Sequence, residues 1–171
     1  MQVAGAPSRV RTRIEGLVDW VGEWTSWLAL AIVVLMATNV ILRYLFSTGS
    51  VWAQELEWHL LVPLILFGMV YAQRHGEHVR VDIFYAKYSA RTKILVDLLS
   101  ACLAIGLSVI VIWLSFQYVQ QAYVIAEVSS DPGGLSHRYL IKGLIPVGFA
   151  LLLLQGIASV IGCLEKLRRL P

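Results

Sequence analysis

Apolar side chains fill four long stretches of the chain, and polar positions gather between them. The stretches cover residues 27–46, 56–73, 94–119 and 140–164. A bilayer hydrocarbon core of roughly 30 Å needs about 20 residues of helix, so each stretch qualifies as a membrane span. The second is the shortest and carries Pro63 near its start. The pattern predicts an all-α membrane protein with four transmembrane helices, forming a single integral-membrane domain over residues 1–171. No internal repeat or linker divides it.

Ahead of the first span, residues 8–24 read differently. Val10, Ile14, Leu17, Val18 and Val21 recur at helical spacing, with Arg9, Arg11, Arg13, Glu15 and Asp19 on the other faces. That pattern predicts an amphipathic helix lying in the headgroup region, its arginines near anionic lipid. The plainer alternative is an extension of the first span. A charged amphipathic stretch followed by a run long enough to span also argues against a cleaved signal peptide.

Composition supports the membrane reading, with 58% hydrophobic and 15% charged residues. A soluble globule of this size would need more polar surface. The net charge of +3 matters less than its placement. Arg9, Arg11 and Arg13 precede the first span; Arg74, Arg80, Lys87, Arg91 and Lys93 lie between the second and third; Lys166, Arg168 and Arg169 follow the fourth. The connection over residues 47–55 has no lysine or arginine, and the third has Arg138, with Lys142 just inside the next span. The bias places both termini and the middle connection in the cytoplasm. Basic residues so distributed argue for membrane lipid as a partner and give no argument for nucleic acid.

The connections on the other side differ in character. The first is short and followed by Trp52, which suits an interfacial anchor. The third contains Ser129-Ser130-Asp131-Pro132-Gly133-Gly134, a sequence that must break any helix.

Candidate chemistry inside the membrane is sparse. A solute or proton path needs charge or a ligand cage near the midplane, yet the centres of all four stretches are apolar. The ionisable groups that enter the membrane, Arg43, Glu55, Glu57, His59 and Lys142, sit near the boundary opposite the termini. Asn39 and Arg43, four apart, share a helix face. A short turn could bring Arg43 to Glu55 as an ion pair; the alternative is an arginine that snorkels to water. His59 is a lone histidine at depth, where a haem anchor needs facing pairs, and packing is its plainer role. Cys102 and Cys163 lie far apart in apolar runs and form neither a redox pair nor a metal cluster. No cofactor, metal site or catalytic residue is indicated. Gly143, Gly148, Gly156, Ser159 and Gly162 in the fourth stretch, and Ala104 and Ser108 in the third, mark faces where helices can approach closely. Pro146 predicts a bend in the fourth helix.

Four motifs, in order, carry a family resemblance over nearly the whole chain. The first span ends Asn39-Val-Ile-Leu-Arg43-Tyr44-Leu45-Phe46, and Trp52-Ala-Gln-Glu55-Leu56 opens the second. That span ends Gly68-Met-Val-Tyr71-Ala72, followed by Arg74-His75-Gly76-Glu77-His78-Val79-Arg80-Val81-Asp82. Ile141-Lys142-Gly143-Leu144-Ile145-Pro146-Val147-Gly148 enters the last. In these motifs the chain resembles the small membrane subunit (DctQ-type) of tripartite ATP-independent periplasmic (TRAP) transporters. Residues 129–146 are similar to a subgroup associated with oxo acids or related organic acids.

The resemblance implies a non-enzymatic subunit of a bacterial inner-membrane secondary transporter. In that family a periplasmic solute-binding protein delivers a carboxylate-bearing solute to two membrane subunits. The large permease subunit holds the solute and sodium sites, and the small one packs on its scaffold and stabilises it. Asn39, Arg43, Trp52 and Glu55 then form one boundary motif, Glu77, His78, Arg80 and Asp82 a cytoplasmic motif, and Lys142 and Pro146 belong to the entry of the last span. The cytoplasmic charges are expected to cap the second span and orient residues 79–88 along the membrane. The rival readings are a scaffold subunit of another complex and a redox-enzyme membrane anchor, which would need the paired histidines that are missing.

Overall fold

The computed structural model describes residues 8–76, 85 and 87–169. Four helices make up the described fold: α1 (Arg9–Phe46), α2 (Val51–His75), α3 (Ala90–Val124) and α4 (Arg138–Leu167). All four are long and apolar enough to cross a membrane. Each outruns its apolar stretch, because a helix stops at a capping signal and not where hydropathy falls. Ser8 and Ser89 open α1 and α3, each hydroxyl accepting from the backbone N–H three residues on. Ser47 and Gly76 close α1 and α2 in the left-handed region, at φ 51° and 75°.

The separate interfacial helix expected at residues 8–24 is not what forms. Those residues and the first span are one uninterrupted helix of 38 residues. At roughly 1.5 Å per residue it is about 57 Å long, well beyond a hydrocarbon core. No glycine or proline separates Glu23 from Trp27, and two hydroxyls bond within the helix: Thr25 donates to Val21 O at 2.7 Å and Ser26 to Glu23 O at 2.6 Å. The expected faces are also partly reversed. Val10, Leu17, Trp20 and Trp24 are exposed, whereas Arg11 and Glu15 turn toward the other helices; Arg9 and Arg13 remain outward.

The start of α1, the end of α2, the start of α3 and the end of α4 lie at one end of the bundle, here the proximal end. The 47–50 and 125–137 connections lie at the distal end. Helix α4 is the hub, packing on α1, α2 and α3, and its contact with α3 is the most extensive. Helices α2 and α3 flank it without an extended contact of their own. A small apolar core of Val18, Val70 and Leu152, backed by Met69, Phe149 and Leu151, joins three of the helices.

The packing faces repeat every seven residues. On α3 the buried positions are Ala101, Ser108, Ser115 and Ala122. On α1 the inward series is Arg11, Val18, Thr25, Ile32 and Asn39. A seven-residue recurrence keeps one stripe facing a neighbour when helices cross at a shallow left-handed angle. The buried serines suit this role because each satisfies its hydroxyl on its own helix, Ser108 to Ala104 O at 2.7 Å and Ser115 to Val111 O at 2.6 Å.

Close approach to α4 depends on glycine. A Cβ on Gly148 would lie 2.9 Å from Leu66 Cβ, and one on Gly156 would lie 2.8 Å from Ile105 Cγ1. Gly143, on the same helix, has nothing within 4 Å. The α4 helix continues through Pro146 without a break. Gly156→Val is therefore expected to destabilise the bundle by about 1–3 kcal/mol through overpacking. Gly143→Ala should leave stability unchanged or slightly raised. Reversible unfolding in mixed micelles distinguishes the two.

Candidate functional site

Charged side chains concentrate at the two ends of the bundle, while the polar groups buried within the helices are Thr25, Ser108, Ser115 and Gln155. At the distal end the α3–α4 connection folds into a closed loop. Ser129 N–H donates to Leu135 O at 3.0 Å, Arg138 N–H to Glu127 O at 3.1 Å, and Gly134 N–H to Asp131 O at 3.0 Å. Gly133 supplies a positive φ of 82° at the turn. The helix break expected at 129–134 thus lies in a loop that begins once α3 ends at Val124.

Glu55, in the first turns of α2, fastens this loop from below. One carboxylate oxygen accepts from the Ser129 hydroxyl, and the other accepts from Leu135 N–H at 2.5 Å. Ser129 Oγ in turn accepts from Asp131 N–H at 3.2 Å. Gly134 is required here by space: a Cβ would fall 2.5 Å from Ser129 Oγ and 2.8 Å from Glu55 Oε2. Beside the clamp, Lys142 pairs with Glu127 and sits 4.0 Å from the centre of the Tyr118 ring. Tyr139 meets Tyr123 edge to face at 5.3 Å.

The ion pair considered between Arg43 and Glu55 does not form. Glu55 is engaged by the loop, and Arg43 makes no ion pair among the described residues, its guanidinium lying 5.6 Å from the Tyr44 ring. Asn39 instead donates to Glu57 Oε1 at 2.6 Å. Helical geometry explains the exchange: at about 100° per residue, Glu55 and Glu57 point to opposite sides of α2. Glu57 faces α1, and Glu55 faces the loop leading into α4. Trp52 is exposed one residue into α2. Pro146 is partly buried inside α4, one turn beyond Lys142. Glu77, His78, Arg80 and Asp82 lie outside the described residues.

The proximal end is tied by charge. Arg11 bonds Glu15 at 2.8 Å and Glu165 at 3.1 Å, while Ser8 N–H donates to Glu165 at 3.1 Å. Arg74 lies 3.3 Å from Glu15 and 3.7 Å from Asp19. One network thus joins α1, α2 and α4 near the chain termini. Tyr71 seats against Gly22, where a Cβ would come within 2.0 Å of the ring, and its own ring lies 4.2 Å from that of His75.

His59 donates from Nδ1 to Glu55 O at 2.7 Å, the local bond of a packing residue, and its Nε2 has no partner. Cys163 is buried and Cys102 exposed, both as free thiols. Among the described residues no group of three or more His, Cys, Asp or Glu side chains could hold a metal ion.

Gln155, near the middle of α4 and 3% exposed, differs from the buried hydroxyls, each of which bonds to its own helix. Its amide nitrogen reaches Ser159 Oγ at 3.4 Å, and its carbonyl oxygen has no partner. Leaving such a group unmet costs about 1–3 kcal/mol. Sequence reading passed over it, because a single amide barely lowers the hydropathy of a long apolar run. Glu127 gives no sequence signal either, and Ser129 stands out only as part of the turn, because the partners of both depend on how the loop returns.

If Glu55 holds the loop, Glu55→Ala should speed amide exchange at Leu135 and open residues 126–137 to proteolysis, leaving helical content intact. Arg43→Glu should not rescue Glu55→Arg, since the two side chains are not partners; exchange rates in the single and double variants check this.

The geometry describes a helical bundle fastened at both ends, with no catalytic constellation among its described residues. Residues 32–166 match the family model described as tripartite ATP-independent periplasmic transporters, DctQ component. No curated protein matches the chain. The family match covers most of the chain, from the second half of α1 through α4, and by it this protein belongs to the DctQ component family: it is a small, non-enzymatic membrane subunit of a TRAP transporter.

Proposed function

We propose that this subunit packs on the large permease subunit of its transporter and stabilises it for sodium-coupled uptake of a carboxylate-bearing solute delivered by a periplasmic binding protein. The observation that carries the proposal is the membership of the DctQ component family. The character of the spans agrees with a supporting role: their centres carry no charged side chain, and the ionic groups of the described residues cluster near the two ends. A chain that itself conducted solute would need charge or ligands near the midplane.

The protein sits in the inner membrane with both termini and the α2–α3 connection in the cytoplasm. Lysine and arginine placement supports this orientation. The distal loop clamped by Glu55 then faces the periplasm, where the binding protein docks. Asn39, Arg43, Trp52, Glu55, Lys142 and Pro146 serve structural organisation on that side. Glu77, His78, Arg80 and Asp82 serve it on the cytoplasmic side, where their charges cap α2 and orient residues 79–88 along the membrane surface.

The direct test is purification through a C-terminal tag in mild detergent, with mass spectrometry of whatever accompanies the chain. A much larger polytopic subunit in about equal amount, and sodium-dependent uptake when the cognate binding protein is added, is the expected result. A chain that emerges alone, or with a haem or quinone enzyme, overturns it. For the cytoplasmic motif, alanine at Glu77, Arg80 and Asp82 together should impair assembly and uptake; intact assembly and uptake would remove that role.

A further inference from the structure

Helices α2 and α3 both pack on α4 without an extended contact of their own. Between them lies a cleft of about 840 Å³ that runs over the face of α4. Its floor includes Gln155, Ser159 and Gly162, and Ala101 and Ala104 line the α3 wall. These small side chains would let another helix come close, which in lipid is a main source of helix association. Small residues alone would mark nothing more than open space.

Gln155 makes the difference. It lines this cleft, it is 3% exposed, and its carbonyl oxygen has no hydrogen-bond partner. Of the five buried side-chain atoms without a partner among the described residues, it lies nearest the middle of a span; the others belong to Asp19, Ser50, His59 and Arg74, toward the helix ends. The buried hydroxyls of Thr25, Ser108 and Ser115 all find carbonyls on their own helices. A lipid acyl chain can fill the cleft but has no donor for the Gln155 carbonyl. A helix carrying a serine, threonine, asparagine, glutamine or tryptophan can supply both volume and donor.

We infer that the α2–α3 cleft receives a transmembrane helix of the large permease subunit, and that the Gln155 side chain turns toward that helix to accept a hydrogen bond from it. The inference rests on the two-subunit reading above and adds to it the face on which the subunits meet. Ala104, at the wall of the cleft, then contacts the partner. Val109, 52% exposed and about 140° around α3 from Ala104, does not.

The test uses the full chain expressed with its transporter partners in native membranes, with a photoreactive amino acid placed at Ala104 or at Val109. The expected result is an adduct with the large subunit from position 104 and none from position 109. Gln155→Leu should weaken retention of the large subunit by about three- to thirty-fold, the range of one interhelical hydrogen bond in a membrane. The same substitution should leave the thermal midpoint of the isolated chain unchanged or higher, since it removes an unmet polar group. A lower midpoint with unchanged retention would assign Gln155 to the subunit's own packing and overturn the inference. Adducts with lipid alone at position 104 would overturn it too, assigning the cleft to lipid. If the large subunit co-purifies while position 104 stays silent, only the cleft is wrong; if no large subunit accompanies the chain, the two-subunit reading falls with it.

Discussion

The backbone of α4 comes close to all three of its neighbours, and the arrangement of the bundle follows from that constraint. Gly148 faces Leu66 of α2, Gly156 faces Ile105 of α3, and Gly162 faces the Arg11 side chain of α1. Among helices in lipid, burial of apolar surface gives little preference for protein over acyl chain, so association depends on tight packing and on hydrogen bonds. Three notches along one helix make α4 the element on which the others are ordered. The seven-residue stripes of α1 and α3 extend the same principle over the length of their contacts, using Ala, Ser and Thr where bulkier side chains would hold helices apart.

Polar interactions complete what close packing begins, and they work at the ends. Near the termini, Arg11 and Arg74 bridge α1, α2 and α4 through Glu15, Asp19 and Glu165. At the opposite end, Glu55 holds a loop that is more than seventy residues away in sequence. Such bonds are tolerated at the membrane boundary, where water can share the charge. Deep in hydrocarbon the same groups would be costly. That contrast gives Gln155 its significance, since it is a buried amide placed where solvation is poorest.

For a transporter subunit, this division of labour is informative. A bundle whose span centres carry no charge can present a packing surface to a partner in the membrane. Its ionic ties keep the helix ends in register, and its clamped loop presents a defined shape on the distal side. A permanent partner in the membrane would find on it a face with small side chains and one unsatisfied hydrogen-bonding group.

Hydropathy along the chain was enough to count four spans and place their centres, because transfer of a side chain into lipid is a property of each residue, whoever its neighbours are. The turn chemistry of residues 129–134 located the break between α3 and α4 for a similarly local reason, and the ordered motifs pointed to the family. Rotation of the helices was not legible. Whether Glu55 or Glu57 faces α1, and whether Arg11 meets headgroups or Glu165, depends on the angle each helix takes against the others. That angle is set by glycine contacts between segments distant in sequence. The 9–46 helix shows the same limit: amphipathic spacing revealed a helix at residues 8–24, but its continuity with the first span and its inward charges came from pairing with α2 and α4. The four spans follow from the sequence alone; which side chains meet between them was decided only when the helices packed.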